Sequence, residues 1–321
     1  MNQADRLVIE TDSLSKSYGE VQALQKVDLK VPRHSIFGFL GPNGAGKTTL
    51  MKVLLGLARP TAGSGTIFGH DIVTESVAIR ERIGYLPQHP RFIEHMTARE
   101  NLLLTARFFY SGPQAQIRAR CDEMLELAGL SDRADRSIKG FSGGEKQRLG
   151  IAMAQVNAPD LLILDEPASA LDPLGRKAVL DVMARLREVT TIFYSTHILD
   201  DVQRVSDTVA ILNQGQLVAS GPIEQILNGK DGVVYTLALK GGWDGLSERL
   251  AELPWVTHTT VAQHNGTSTW QVSVSDEAAA ERDLLRYVLA DSAVMVTEFS
   301  RKTYELEDVF MEIVKGDGNV R

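Results

Sequence analysis

The run Gly41-Pro42-Asn43-Gly44-Ala45-Gly46-Lys47-Thr48 has the residue types needed to wrap a phosphate. It fits G-x-x-x-x-G-K-[ST] after a predicted strand and before a predicted helix, the context that makes this pattern specific. The glycines let the backbone curl until several N–H groups point at one anion, and the helix that follows adds the positive end of its dipole. Lys47 can reach the β- and γ-phosphates, and the Thr48 hydroxyl can hold Mg²⁺. Thr49 belongs to the same phosphate-binding run. The bland alternative is a Gly-rich turn with a solvated lysine, which a complete motif in context argues against.

A Mg²⁺–nucleotide site also needs an acidic partner. Residues 161–164 are continuously apolar, as in a strand buried on both faces. Asp165 closes that run, so a parallel sheet would deliver its carboxylate to the crevice at the strand's carboxyl end. Glu166 follows at once and points differently. We expect Asp165 at Mg²⁺ and Glu166 as the general base for the attacking water. Without the glycine-rich loop, the same pair would read as a helix cap or a solvated strand end.

These residues need a rigid frame, and the first part of the chain, to about Asn228, has the rhythm of one. Strands are expected at 35–40, 161–164 and 191–195, and helices at 48–57 and 174–186. Leu50, Val53, Leu54 and Leu57 share one stripe of the first helix, and Ala178, Val179, Val182, Met183 and Leu186 share one of the second. Strands alternating with helices imply a parallel sheet with helices on its faces, an α/β fold. Residues 209–212 and 216–219, joined by Asn213-Gln214-Gly215, read as a hairpin closing this domain, 1–228.

The polar break Gly229-Lys230-Asp231-Gly232 is the expected boundary. From 233 to about 316 the rhythm changes: strand 233–240, helix 246–253, strands 256–263 and 269–275 around His264-Asn265-Gly266, helix 278–289 and strand 294–299. That βαββαβ order is a ferredoxin-like, α+β accessory domain. A final helix would carry Leu306, Val309, Phe310, Ile313 and Val314 on one face.

The 321 residues are 43% apolar and 23% charged, an ordinary globular composition that excludes a largely disordered chain. The net charge of −7 argues against a life spent coating nucleic acid, and no nucleic-acid partner is expected. No stretch approaches the roughly 18 apolar residues of a membrane span. The N-terminal residues, with Asp5, Arg6 and Glu10, carry no leader-like apolar core. The single cysteine, Cys121, shares a helical stripe with Ile117, Met124, Leu125 and Ala128, which makes it a packing thiol and fits a reducing compartment.

With these features in place, Phe141-Ser142-Gly143-Gly144-Glu145 is similar to the signature usually written LSGGQ, and the chain resembles the ATP-binding subunit of ABC transporters. Physically the signature is a Ser-Gly-Gly turn at a helix N-terminus, a second anion receptor. It also reads as a capping box between Ser142 and Glu145. The resemblance covers residues 7 to about 228 and implies a P-loop ATPase cassette with an antiparallel β part and a helical subdomain. It implies that Tyr18 stacks on adenine, that Gln88 is the Q-loop glutamine near Mg²⁺ and water, that Asp172 is the D-loop aspartate, and that His197 is the switch histidine at the γ-phosphate. His89 and His95 read as surface residues. Phe141 and Glu145 depart from the usual Leu and Gln, and Ala170 from the usual D-loop Gly.

The resemblance further implies ATP and Mg²⁺ as cofactors, and a second ATP-binding subunit, identical or similar, because the signature of one chain closes over the nucleotide of another. It implies an integral membrane permease as a separate subunit, docked near residues 88–104 with Phe92, Ile93 and Met96, or else those residues pack within the helical subdomain. The location implied is peripheral, at the cytoplasmic face of the cell membrane. Leu306-Glu307-Asp308-Val309-Phe310 resembles the tail of drug- and antibiotic-resistance exporters. An importer ATPase with a substrate-sensing C-terminal domain and a soluble, non-transport ABC ATPase stand as alternatives.

Overall fold

The computed structural model describes residues 7–227, 233–241, 245–264, 267–290, 294–302, 306, 307 and 310. The chain divides into two compact units between Ile223 and Glu224. The break at 229–232 lies outside the described residues.

The frame of the first unit is a six-stranded sheet in the order Gln216–Pro222, Thr208–Asn213, Ile36–Leu40, Thr191–Thr196, Leu161–Asp165, Ile83–Leu86. All neighbours after the first pair are parallel. Every residue of Ile36–Leu40, Leu161–Asp165 and Thr191–Thr196 is buried, as strands covered on both faces require. Phe193 packs its ring 5.7 Å from Phe37 and 5.4 Å from Phe39, which ties two of these strands together on one face. Register pairs Leu40 with Thr196 and Asp165 with Ser195, so the chemistry-bearing strand ends lie side by side.

Helix Lys47–Leu54 buries Leu50, Met51, Val53 and Leu54 but ends before Leu57, which is 62% exposed. The cause is Gly56, left-handed at φ 67, with its N–H bonded to Val53 O and the Leu57 N–H bonded to Lys52 O. That glycine-terminated cap turns the chain out of the helix. In helix Pro173–Leu186, Leu180 joins the buried stripe, whereas Ala178 is only half-buried. The hairpin loop is the pair Gln214 and Gly215, both at positive φ, the turn that matches strand twist.

A second, antiparallel sheet runs Val21–Val27, Leu7–Tyr18, Ala62–Ile67, His70–Asp71, with Lys30–Pro32 also paired to Leu7–Tyr18. Helices Ala98–Ala106, Gln114–Leu127 and Gly143–Gln155 share a separate apolar cluster that includes Leu102, Cys121, Leu125 and Leu149. Cys121 is wholly buried there, and burial pushes its thiol pKa up, away from the reactive thiolate. Phe92 packs at the edge of the same cluster.

The second unit runs strand Val233–Lys240, helix Leu246–Ala251, strands Val256–His264 and Thr267–Val274, helix Glu277–Leu289 and strand Met295–Lys302. Its antiparallel sheet has the order Val256–His264, Thr267–Val274, Val233–Lys240, Met295–Lys302. Alternate residues Tyr235, Leu237, Leu239 and Trp270, Val272, Val274 form a core with Leu246, Leu250, Ala280, Leu284 and Val288. Leu306 is buried, but Asp308, Val309, Ile313 and Val314 of the expected final helix lie outside the described residues, as do Asn265 and Gly266 of the expected turn.

Candidate active site

Strand Ile36–Leu40 feeds directly into the glycine-rich loop. A Cβ on Gly41 would lie 2.4 Å from Leu212 O, and one on Gly46 would lie 2.4 Å from Ala23 O, with Gly46 at φ 110. The loop therefore threads between two neighbouring strands where only glycine fits. Helix Lys47–Leu54 follows, and no side chain caps it at Gly46. Its first-turn N–H groups have no intrahelical acceptor and suit an anion. The side chain of Lys47 is 6% exposed, and its Nζ donates to Gly41 O at 2.6 Å and Pro42 O at 3.2 Å. It also stands 3.5 Å from Glu166 Oε1. Burial pushes the Lys47 pKa down, and the Glu166 and Asp165 carboxylates oppose that shift.

Asp165 is fixed at both oxygens. Thr48 Oγ1 donates to its Oδ2 at 3.0 Å, and Ser195 Oγ donates to its Oδ1 at 2.6 Å. Ser195 Oγ in turn accepts from Glu166 N at 2.9 Å. Glu166 adopts φ 48, a left-handed conformation costing a non-glycine residue about 1–2 kcal/mol. This turn aims its carboxylate back into the loop. Gln88 Nε2 donates to Glu166 Oε2 at 3.3 Å, and His197 Nδ1 lies 3.3 Å from the same oxygen. Lys47, Thr48, Gln88, Asp165, Glu166 and His197 thus come from four segments of the chain into one contact network, with Ser195 linking Asp165 to Glu166.

This network borders a cavity of about 1010 Å³, lined by Asn43, Gly44, Gly46, Lys47, Thr48, Thr49, Gln88, Glu166, Ser169, Ala170 and His197. The opposite wall is Glu20, Val21, Gln22 and Ala23. The expected base-stacking residue, Tyr18, is not in that lining. It is 49% exposed at the end of its strand, with the Lys16 ammonium 4.7 Å from its ring centroid. Asp172 is also absent from the lining and stands at the N-cap of helix Pro173–Leu186 without a side-chain capping bond.

For Mg²⁺, the donors at hand are hard oxygens: the Thr48 hydroxyl, the Asp165 carboxylate 3.0 Å from it and the Gln88 amide beside Glu166. Among the described residues no group of three or more His, Cys, Asp or Glu could hold a metal alone. A magnesium ion that keeps several waters and shares phosphate oxygens needs only one or two carboxylates, so the residues fit.

Ser142–Glu145 sits elsewhere, outside the cavity lining. Ser142 is the N-cap of helix Gly143–Gln155, and the capping box is complete. Ser142 Oγ accepts from Glu145 N at 3.2 Å, and Ser142 N donates to Glu145 Oε2 at 2.7 Å. Gly143 and Gly144 lie between, and a Cβ on Gly144 would be 3.2 Å from Gly175 Cα. The capping expectation holds; Gly143 is exposed, whereas Gly144 is buried.

Two contributions are new relative to the sequence reading. Ser195 joins Asp165 to the Glu166 backbone; a serine at the end of an apolar strand was its only signal. The Gln214–Gly215 turn braces the loop: Gly215 N donates to Ala45 O at 2.9 Å, and Gln25 N donates to Gly215 O at 2.7 Å.

Comparison with known proteins agrees with this geometry. The ABC transporter family model matches residues 24–169. The ABC transporter ATP-binding protein YxlF of Bacillus subtilis is 38% identical over 96% of this chain and 99% of its own length. Daunorubicin resistance ATP-binding protein DrrA3 of Streptomyces coeruleorubidus is 34% identical over 98% of both chains. Bacitracin transport ATP-binding protein BcrA of Bacillus licheniformis is 40% identical over 68% of this chain and 71% of its own. Among solved structures, a dimeric ABC transporter cassette in a post-hydrolysis state with ADP and Pi is 28% identical, with a TM-score of 0.61 over 67% of this chain and 98% of its own. The chain belongs to the ABC transporter ATP-binding protein family, and is a nucleotide-binding ATP hydrolase of that family.

Proposed function

We propose that the chain powers export: it binds and hydrolyses ATP as one of two ATP-binding subunits and drives a separate integral membrane permease from the cytoplasmic face. The observation that carries this is the likeness to a drug-resistance ATP-binding protein over 98% of both chains, which runs through the second unit as well as the cassette. The shorter likeness to a bacitracin transport protein points the same way.

In the proposed reaction, the uncapped N–H groups of helix Lys47–Leu54 and the Lys47 ammonium bind the polyphosphate. Lys47 is already held at the loop, so ordering it costs little. Magnesium, when bound, would be held by Thr48 and Asp165 with Gln88 nearby, and would neutralise charge on the β- and γ-phosphates. Glu166 accepts the proton of the attacking water. Gln88 and His197 both reach its Oε2, and they orient that carboxylate and the γ-phosphate. Ser142, Gly143 and Gly144 of a second subunit would supply the other face of the nucleotide, and Asp172 belongs to the same subunit contact. Tyr18 remains the proposed adenine contact.

For the permease, a groove of about 250 Å³ lies along edge strand Ile83–Leu86, lined also by Pro90, Arg91, Phe92 and Phe109. Phe108 beside it is 80% exposed. This supports docking where residues 88–104 were expected to meet the membrane subunit. No helix among the described residues is long and apolar enough to cross a membrane. The second unit, with its βαββαβ order, is read as a ferredoxin-like accessory domain, and 233–316 as its extent.

The test is co-expression with candidate membrane subunits, starting with any encoded beside this chain. Export predicts copurification with a protein of about six spans and ATPase activity stimulated by its cargo. Stimulation that requires an extracytoplasmic substrate-binding protein would overturn export in favour of import.

A further inference from the structure

Glu145 stands where the related signature has a glutamine, and its surroundings are built around the charge. Its side chain is 11% exposed. Oε2 accepts from Ser142 N at 2.7 Å, and Oε1 takes Arg133 Nη1 at 2.8 Å. Arg133 comes from a separate element, the short 3₁₀ turn Ser131–Arg133. The other nearby guanidinium, Arg148, feels the Glu145 charge but makes no ion pair with it: its Nη1 donates to Ala128 O at 2.5 Å and Gly129 O at 3.1 Å. Arg133 is therefore the cation that meets the Glu145 carboxylate.

A glutamine could accept from Ser142 N just as well and would carry no charge. A carboxylate in that place suits the helix dipole but opposes any anion that approaches the same helix end. Pairing it with a guanidinium removes that opposition without breaking the cap. We propose that Arg133 is a positioning residue for nucleotide closure: it neutralises Glu145 so that the Ser142–Gly144 turn presents a positive helix end to the triphosphate held by a second copy of the chain. This rests on the reading that the signature of one chain closes over the nucleotide of another.

The experiment uses the full chain carrying Glu166→Gln, which is expected to hold ATP without turnover, and measures ATP-driven dimerisation by analytical ultracentrifugation. Arg133→Ala should weaken dimerisation about tenfold, because it leaves a carboxylate unpaired beside the anion. In a chain also carrying Glu145→Gln, Arg133→Ala should change dimerisation less than about twofold, because there is no charge left to neutralise. Arg133→Lys, which keeps the charge, should retain most of the dimerisation. ATP binding to the isolated chain at low protein concentration reports folding and the chain's own phosphate loop, and should not change.

An equal loss in both backgrounds would make Arg133 a simple brace of the turn and overturn the proposal, as would no loss in either. Ser142→Arg separates the two levels. If it abolishes dimerisation while Arg133→Ala does not weaken it, only the Arg133 proposal fails. If dimers persist with Ser142→Arg, or the Glu166→Gln parent forms none even with the membrane subunit present, the shared-site reading fails and takes the proposal with it.

Discussion

Helix Lys47–Leu54 begins at Gly46 with no side chain over its first amides, whereas helix Gly143–Gln155 begins at Ser142 inside a closed capping box. Both are helix N-termini preceded by glycine-rich or glycine-containing turns, and both are suited to anions. They differ in what their own chain supplies. Around the first, Lys47, Gln88 and His197 all reach Glu166, and Thr48 bonds to Asp165. Around the second, the acceptors satisfied are those of the cap itself, and the cavity beside the first helix does not include it. On the proposed function, the uncapped end belongs to a reaction centre, because it is open to a ligand and the proposed catalytic groups surround it. The capped end is closed by its own side chains, as the proposed surface for a second subunit's nucleotide would be.

The sharpest way to break this comparison is to remove the chemistry from the first end. Glu166→Gln should lower hydrolysis by about 10²–10⁴-fold while ATP binding survives. Phosphate release and equilibrium binding, measured on the same preparation, check both halves. Normal turnover would remove Glu166 as the base and with it the contrast in roles.

A smaller effect is expected from geometry alone. Gly46→Ala forces a Cβ to within 2.4 Å of Ala23 O at a φ of 110. The loop must shift, so ATP affinity should fall by at least about tenfold and stability by about 1–3 kcal/mol. Isothermal titration and urea denaturation would show it, and unchanged affinity would mean that loop placement matters less than the lysine. The smallest effect belongs to the second end. Ser142→Ala removes the cap acceptor at Glu145 N and should cost about 1 kcal/mol of stability. Affinity of the isolated chain for ATP should stay the same. A change there would tie the signature to its own chain's nucleotide.

What could be read in advance followed from how local each feature is. The phosphate loop is contiguous, and the carboxylates sit at the end of an apolar strand, so motif and burial together sufficed. Ser195 was not legible as a site residue because its importance comes from register across two parallel strands, Asp165 beside Ser195, which no local pattern encodes. Arg133 was hidden for the same reason: a 3₁₀ turn meets a helix start through tertiary packing. Helix Lys47–Leu54 ends short of Leu57 because Gly56 turns left-handed, which the apolar spacing to Leu57 does not reveal. Ala170 has a physical reading after the fact. It sits at φ 57, the conformation glycine takes freely, which explains why a glycine is usual there and marks a strained point on the cavity wall.

The central claim is that the two helix ends serve one nucleotide from two chains, and mixing two broken proteins tests it most directly. Lys47→Ala should disable a chain's own phosphate loop, and Ser142→Arg should disable the surface it lends. Each homodimer then has two defective sites. In a mixed dimer both defects fall into one site and the other is intact. Mixing the two variants, with the membrane subunit where dimers need it, should restore ATP-driven closure or hydrolysis in proportion to the mixed-dimer fraction. Mixed dimers that form but recover neither would contradict the account.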